Sequence, residues 1–486
     1  MARVLPLGRL LAHLDVDVPS SFAARPVRAV THLVDELALD VVGVGVHEWY
    51  GDFHEIAREE VAAAFVVDRP VTNPRVPVFE VPNANVALST LAAVLEDRPA
   101  DRVPVIGVTG TDGKTTTTTL VESAMTMLGR RVGRLGTLGA SVAGEPHPLG
   151  RTVPSPPELH ALLSTMVQQG CDLAIMEAGS FGLRSHRVDA IGFHLGVFTN
   201  LTRDHLDVHG TMEAYAAAKA RLFGELLRPP GGWPRALLCA DDPWWPAMHP
   251  PADRWTYGFA PAADLRLSDA RHAIEGSTAT LETPVGTARL RCRLPGPYNL
   301  LNATAAVGIM LSLEVPLEEA CDAVARATGP SGRMEVVPND RELSVVVDYA
   351  HTPNGLRTVL RALRPLTRRR LWVVFGCGGD RDPGKRPEMG GIASALADEV
   401  VLTSDNPRGE SALAINQAIV AGMIRSPTHV ELDRAAAIAW ALEHASPGDT
   451  VLVAGKGHET TQQIGPRTHP FDDRDAIAHA LGTTPR

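Results

Sequence analysis

The sequence predicts an α/β protein built as three domains, and three observations carry that prediction. A chain of 486 residues exceeds what one ordinary hydrophobic core organises. From Val105 onward, short apolar runs alternate with segments of helical period, the pattern of a mostly parallel sheet with right-handed crossovers. That alternation begins twice, once after "RPADRVP" and again after "GPSGRME". The expected divisions are a small α/β domain over residues 1–98, a central parallel-sheet domain over 99–328 and a Rossmann-like domain over 329–486.

In the first domain "AAAFVVD" and "VPVFEV" read as strands and "NVALSTLAAVLED" as a helix, with "RPADRVP" as a linker. The second gives strand "VIGVTG", helix "TTTTLVESAMTML", helix "PPELHALLSTMVQQG", and strands "DLAIMEA" and "LGVFTN". Helices "NLLNATAAVGIMLSL" and "PLEEACDAVARAT" close it. In the third, "LSVVVDYA", "LWVVFGCGG", "EVVLTSD" and "DTVLVAGKG" are strands ending in loop-forming residues, with "GLRTVLRAL" and "AAAIAWALEHA" as helices between them.

Composition narrows the function. A formal charge of −10, from 46 basic and 56 acidic residues, argues against a nucleic-acid binder. The five cysteines are scattered without paired spacing, as buried thiols of a reducing compartment would be. No apolar stretch reaches the roughly 18 residues of a membrane span, and Asp15 and Asp17 interrupt the apolar start of the chain. A cytoplasmic protein acting on small molecules is expected.

The segment "TGTDGKTTT" joins a strand to a helix. Gly110 and Gly113 let backbone N–H groups approach phosphate oxygens, and the helix N-terminus favours an anion. Lys114 is placed for β/γ-phosphates, and Thr115 or Thr116 for magnesium. The strict Walker pattern is broken, because Val108 stands where its first glycine belongs. Other strand ends should face the same ligand. "IMEAGS" puts Glu177 at one, and "FTNLTRDHLDVHG" puts Asn200, Asp204, His205 and Asp207 at another. These suit a second magnesium, although Asp204 also reads as a helix cap and His205 as a surface ring. Lys219, inside "AYAAAKARLF", is either a snorkelling surface lysine or a buried one that must be paired or altered.

Together "GVTGTDGKTTTTTL", "VFTNLTRDHLDVHGTMEAYAAAKARLF", "DYAHTPNGL", "FGCGGDRDPGKRPEMG", "TSDNPRGE" and "AGKGHE" resemble the Mur ligase family, nearest its MurE-like amino-acid-adding branch. That family carries the shortened phosphate loop, usually with Asn where this chain has Asp112. The resemblance implies a central P-loop ATPase-like domain, ATP and Mg2+ as cofactors, and an acyl phosphate on a carboxylate that an amine then attacks. It implies ATP contacts from Gly110, Thr111, Asp112, Gly113, Lys114, Thr115 and Thr116, from Asn299 and Asn302 in "GPYNLLNA", from Arg333 in "SGRME" and from Asp348. It makes Lys114, Glu177, His205 and Lys219 catalytic, with metal on Thr115, Glu177, His205 and a carbamylated Lys219. For Asn299, Asn302 and Asp348, helix and turn capping is the alternative reading.

The resemblance further implies that the third domain binds the incoming amino acid. "DNPR", Asp405, Asn406, Pro407 and Arg408, is similar to the signature of branches adding meso-diaminopimelate, whose second carboxylate an arginine grips bidentately. Arg381, Gly455 and Glu459 complete that pocket, with a solvated surface arginine as the alternative for Arg408. The acceptor end departs from the family. "THLVDEL" keeps only Thr31 of the uridine-binding stretch, and "VVGVGVHEWYGDF" follows it. "EAGSF" has Gly179 and Phe181 in place of Ser and His, and "TVP" has Val153 in place of Thr. Thr152 and Ser180 remain as acyl-substrate contacts. The expected reaction joins meso-diaminopimelate to UDP-MurNAc-L-Ala-D-Glu in peptidoglycan synthesis. A paralogous ligase acting on another carboxylate, or a non-catalytic protein, are the alternatives.

Overall fold

The computed structural model describes residues 3–46, 56, 60–228 and 234–483. They form two compact units, Met1–Leu265 with Gly308–Val315, and Arg266–Val307 with Pro316–Arg486.

The first unit opens on a parallel four-stranded sheet ordered Ala29–Thr31, Val41–Gly45, Ala64–Val67, Val78–Glu80. All four residues of Ala64–Val67 are buried, as an inner parallel strand requires. The helix Ala84–Leu95 starts where Asn83 Oδ1 accepts from the N–H groups of Asn85 and Val86. Thr31 Oγ1 is engaged locally, donating to Glu36 at 2.6 Å and accepting from the Leu33 N–H. Of "VVGVGVHEWYGDF", the run 47–53 lies outside the described residues. "RPADRVP", expected as a linker, is instead packed: Arg98 is left-handed, Pro99–Asp101 is a 3-10 turn, and Ala100 is buried in the central core, where its carbonyl accepts from Arg228.

In the central sheet of this unit the strands run Glu145–His147, Gly139–Val142, Val132–Gly136, Leu173–Glu177, Val105–Thr109, Leu195–Phe198, Ala236–Cys239, Arg254–Gly258. The last six are mutually parallel, and the first two form an antiparallel edge. Val105–Thr109 lies in the middle with every residue buried. Val108 is level with Glu177 on one side, and Thr109 with Phe198 on the other. The chain reverses its direction of travel across the sheet at this strand, so a crevice opens at the carboxyl ends of the three.

The second unit begins with antiparallel strands Leu265–Ala273, Gly276–Thr283 and Gly286–Cys292. Its main sheet is ordered Glu335–Val337, Ser344–Asp348, Thr450–Ala454, Leu371–Phe375, Glu399–Leu402, His429–Val430, parallel except for the first pairing. Successive residues of one strand enter opposite cores: Val346 joins one cluster, while Val345 and Val347 join the other. That is the period-two signature of a sheet covered by helices on both faces. Among the described residues, no helix is long and apolar enough to cross a membrane.

His160, on the helix Pro156–Gln168, is fully buried with both ring nitrogens unpartnered. Burial, and then the Arg98 charge, lower its pKa to about 4 from 6.5. Its folded form therefore stays neutral while the unfolded chain takes up a proton below pH 6.5, so stability falls between about pH 6.5 and 4. Replacing His160 with Leu should flatten that part of the stability–pH curve, read as denaturation midpoints at pH 7 and pH 5. An unchanged slope would remove the assignment.

Candidate active site

The phosphate loop takes its shape from close packing. A side chain at Gly110, where φ is +146°, would come within 1.9 Å of Thr199 Oγ1. Gly113 is left-handed at φ +87° and caps the helix Lys114–Met127. The segment after Leu195–Phe198 braces the loop. Asn200 accepts from the Thr111 N–H on its carbonyl and from the Asp112 N–H on Oδ1, while its Nδ2 donates to the Asp112 carbonyl. Thr199 Oγ1 donates to the same Asp112 carbonyl at 2.6 Å. Asn200 thus acts through the loop backbone, and the Asp112 side chain is exposed.

The Lys114 ammonium lies on the Gly110 and Thr111 carbonyls, at 3.1 and 2.6 Å. Lys219 Nζ donates to the same Gly110 oxygen at 2.7 Å and sits 4.4 Å from the Tyr215 ring centroid. Lys219 is 1% exposed, which excludes a snorkelling role. Burial, and then the Lys114 charge, push its ammonium far below the usual lysine range. Tyr215 donates to or accepts from Thr111 Oγ1 at 3.3 Å, tying the lysine-bearing helix to the loop.

Glu177 is fully buried at its strand end. Oε1 accepts from Thr115 Oγ1 at 2.9 Å and from the Thr137 N–H at 2.8 Å, and Oε2 accepts from Thr137 Oγ1 at 3.1 Å. Among the described residues no Lys or Arg pairs with it. Thr115 gives its proton to Glu177, which leaves the hydroxyl lone pairs for a cation. A carboxylate and a hydroxyl together are a hard-oxygen set that fits magnesium. Thr116 is buried in the first helical turn.

His205 is set apart from that pair. It is left-handed at φ +52°, its ring is more than half exposed, and Nε2 lies 3.3 Å from Asp204 Oδ2. Asp204 Oδ1 accepts from the His205 N–H, so Asp204 does not cap the short helix Leu206–His209 in the usual way. Among the described residues, no three His, Cys, Asp or Glu side chains converge as a metal cluster. Ser180 Oγ is 3.0 Å from His209 Nε2, whose pKa is lowered by burial and by Arg184, Lys219 and His205. Thr152 Oγ1 reaches Thr137 Oγ1 at 3.2 Å, and through it the Glu177 cluster. Thr137, His209 and Tyr215 escaped the sequence reading. The glycines of "LGTLG" and the HxxxH spacing from His205 to His209 were the only signals for two of them.

The second unit carries a separate set of residues. Asn299 and Asn302 are buried early in the helix Pro297–Ser312, with Asn302 Nδ2 on Asn299 Oδ1 at 3.2 Å and Asn299 Nδ2 on the Pro295 carbonyl at 2.8 Å. Asp348 accepts from the Met334 and Ala350 N–H groups, and so fixes the chain beside Arg333. The Arg333 guanidinium lies 4.4 Å from the Tyr349 ring centroid, and its buried Nε has no partner, which suits an anionic ligand.

"DNPRGE" is held from three sides. Gly379 N–H donates to the Asn406 carbonyl, and Arg408 Nη1 donates to the Gly379 carbonyl at 2.8 Å. Arg386 forks onto Glu410 at 2.8 and 2.9 Å. Gln462 Nε2 donates to the Asp405 carbonyl. Pro407 sits in the bend between, and Gly379 has no room for a side chain against its carbonyl. Arg408 is left-handed at φ +50° and half-buried, unlike a solvated surface arginine. Arg381 is exposed on the neighbouring loop. Gly455, at φ +114°, leaves room for Asp405 Oδ2, and Glu459 meets Asn406 Nδ2 at 2.8 Å.

Residues 108–310 match the Mur ligase middle domain, and residues 332–457 the Mur ligase glutamate ligase domain. A UDP-N-acetylmuramoyl-L-alanyl-D-glutamate--2,6-diaminopimelate ligase of Gloeobacter violaceus is 46% identical over 84% of this chain and 83% of its own. The like-named enzyme of Synechococcus sp. (strain WH7803) is 41% identical over 98% of both chains. A solved structure of such a ligase aligns with TM-score 0.73 at 29% identity, covering 99% of each chain. An ADP complex of Thermotoga maritima MurF shares the fold at TM-score 0.60 and 19% identity, covering 90% of this chain and 95% of that one.

The loop packing makes a direct prediction. Gly110→Ala should lose ATP binding and cost about 1–3 kcal/mol of stability, the range of an enforced backbone strain, read by nucleotide titration and thermal melting. Wild-type affinity in that variant would show that the loop does not need its tight contact with Thr199.

Proposed function

The chain belongs to the Mur ligase family, and from that premise we propose that it joins meso-diaminopimelate to UDP-MurNAc-L-Ala-D-Glu at the expense of ATP, releasing ADP and phosphate. The observation that carries this reading is the crevice itself. Two lysine amino groups on one loop carbonyl lie in the same unit as a buried carboxylate–threonine pair that meets no cation among the described residues. The division into domains at 1–98, 99–328 and 329–486 is part of the proposal.

A carboxylate resists attack by an amine until one of its oxygens becomes a leaving group. In the first step that oxygen attacks the γ-phosphorus and the bond to ADP breaks. In the second the amine attacks the acyl carbon, phosphate departs, and the nitrogen loses a proton. Each step gathers negative charge that fixed cations and dipoles must offset. Lys114 exchanges its loop carbonyls for phosphate oxygens, and the helix N-terminus behind Gly113 adds its N–H groups. Thr115 and Glu177 would hold magnesium, which supplies charge neutralisation between the phosphate and the acceptor. His205 is assigned to the metal by the family resemblance, and in this structure its exposed ring lies beside Asp204 instead. Lys219, as a neutral amine, can add CO2 and lose a proton, and the resulting carbamate would turn a buried cation into an oxygen ligand. Ser180, His209, Thr152 and Thr137 offer hydrogen bonds to the acceptor. In the second unit, Asn299, Asn302, Arg333 and Asp348 are assigned to the nucleotide, and Arg408, Asp405, Asn406, Arg381, Gly455 and Glu459 to the amino acid. Arg408, offering a planar fork, suits the second carboxylate of diaminopimelate.

The deciding assay is phosphate release with product mass. Turnover to ADP should require both UDP-MurNAc-L-Ala-D-Glu and diaminopimelate, with the amide mass as product. Release of AMP and pyrophosphate, or turnover only with a different acid, would overturn the reading. Lys219→Ala should drop kcat by about 100-fold or more, a loss typical of removing charge stabilisation at a reacting phosphate. Added short carboxylates should recover part of it, and more magnesium alone should recover little. Full activity without rescue would remove the carbamate role.

A further inference from the structure

Lys456 lies between the two glycines of "AGKGHE" and is completely buried. Its Nζ donates to Asn406 Oδ1 at 3.1 Å and to Glu459 Oε2 at 2.9 Å. Lys456 thus bridges two residues assigned to the amino-acid pocket. Asn406 Oδ1 also accepts from the Gln463 N–H at 2.9 Å. With two donors on that oxygen the amide cannot flip, so its Nδ2 must face Glu459, where it donates to Oε2 at 2.8 Å. Glu459 Oε2 therefore receives two donors, and Oε1 has no hydrogen-bond partner among the described residues.

We propose that Lys456 is a positioning residue for the incoming amino acid: it commits Glu459 Oε2 and the Asn406 amide to the protein, and so presents Glu459 Oε1 to the substrate's distal ammonium. This rests on the pocket assignment above and deepens it. The geometry explains why a lysine is buried here at all, because two fixed acceptors on separate loops need one compact donor between them. Gly457, at φ +53°, lies against the Gly332 carbonyl and Tyr349, and Gly455 sits beside Asp405, so close packing on both sides holds the turn that carries Lys456. Glu459 is itself partly exposed, with 30% of its side chain accessible. Losing Lys456 therefore returns that carboxylate to solvent rather than stranding it, and the variant should fold.

The test is a double-mutant cycle read as separate KM values. Glu459→Gln alone should raise the KM for diaminopimelate; if it does not, the pocket reading fails. Lys456→Met should raise the same KM by about 10- to 100-fold, the usual effect of removing a group that orients a ligand-binding one, while the KM for ATP stays within about twofold. The double variant Lys456→Met/Glu459→Gln should be no worse than Glu459→Gln, because the lysine acts through that carboxylate. Multiplying losses, or equal rises in both KM values, would overturn the positioning role and leave the pocket reading standing. Lys456→Gln, which keeps one short donor, should fall between wild type and Lys456→Met, and it runs the same cycle should the methionine variant not fold.

Discussion

One backbone oxygen, the carbonyl of Gly110, receives two ammonium groups, and the design of the nucleotide crevice follows from that crowding. Lys114 and Lys219 repel each other across it, and among the described residues neither has a carboxylate within hydrogen-bonding distance. Like charges gathered in a poorly solvated place cost free energy unless one neutralises or an anion arrives. The two lysines answer differently. Lys114 rests on two loop carbonyls, from which a phosphate could draw it. Lys219, sealed behind Tyr215, is driven toward the neutral amine by burial and by its neighbour. A neutral amine is the form that reacts with CO2, so the packing that makes Lys219 costly as a cation is consistent with the carbamate proposed for it.

Glu177 answers the same logic with the opposite sign. Its carboxylate is surrounded by neutral donors alone, two from Thr137 and one from Thr115. Those three bonds orient both oxygens without supplying a positive charge, which a divalent cation can then provide. The protein thus keeps these lysines and this carboxylate from pairing with one another, which leaves both free for the nucleotide and metal proposed above.

How far the sequence revealed this depends on whether the signal was local. The phosphate loop was legible because strand, glycines, lysine and hydroxyls are consecutive, and the parallel sheets because apolar runs mark buried strands. Lys219 was half legible: an apolar-flanked lysine raised the question, and only its burial in the fold answered it. Thr137, His209 and Lys456 were not legible, since Glu177, Ser180 and Asn406, which they meet, lie 40, 29 and 50 residues away, and nothing in the sequence declares a hydrogen bond closed by folding. "RPADRVP" misled for the related reason that its polar residues face outward while Ala100 enters the core.

The departures at the acceptor end acquire a coherent account once packing is considered. Val153, where the family has a hydroxyl, is buried with its methyl groups against Gly179 and close enough to Gly182 that a side chain there would meet it at 2.8 Å. Its carbonyl accepts from Arg187 at 2.7 Å, and the Arg187 guanidinium lies 5.1 Å from the Phe181 ring centroid. Valine, the two glycines, phenylalanine and arginine therefore form one repacked patch, in which lost hydroxyl contacts are exchanged for apolar contact and an arginine held over a ring. Thr152 and Ser180 remain on the polar side of that patch, bonded to Thr137 and His209. Two hydroxyls thus line the polar edge of an apolar wall, an arrangement compatible with the acyl-group contacts proposed for them.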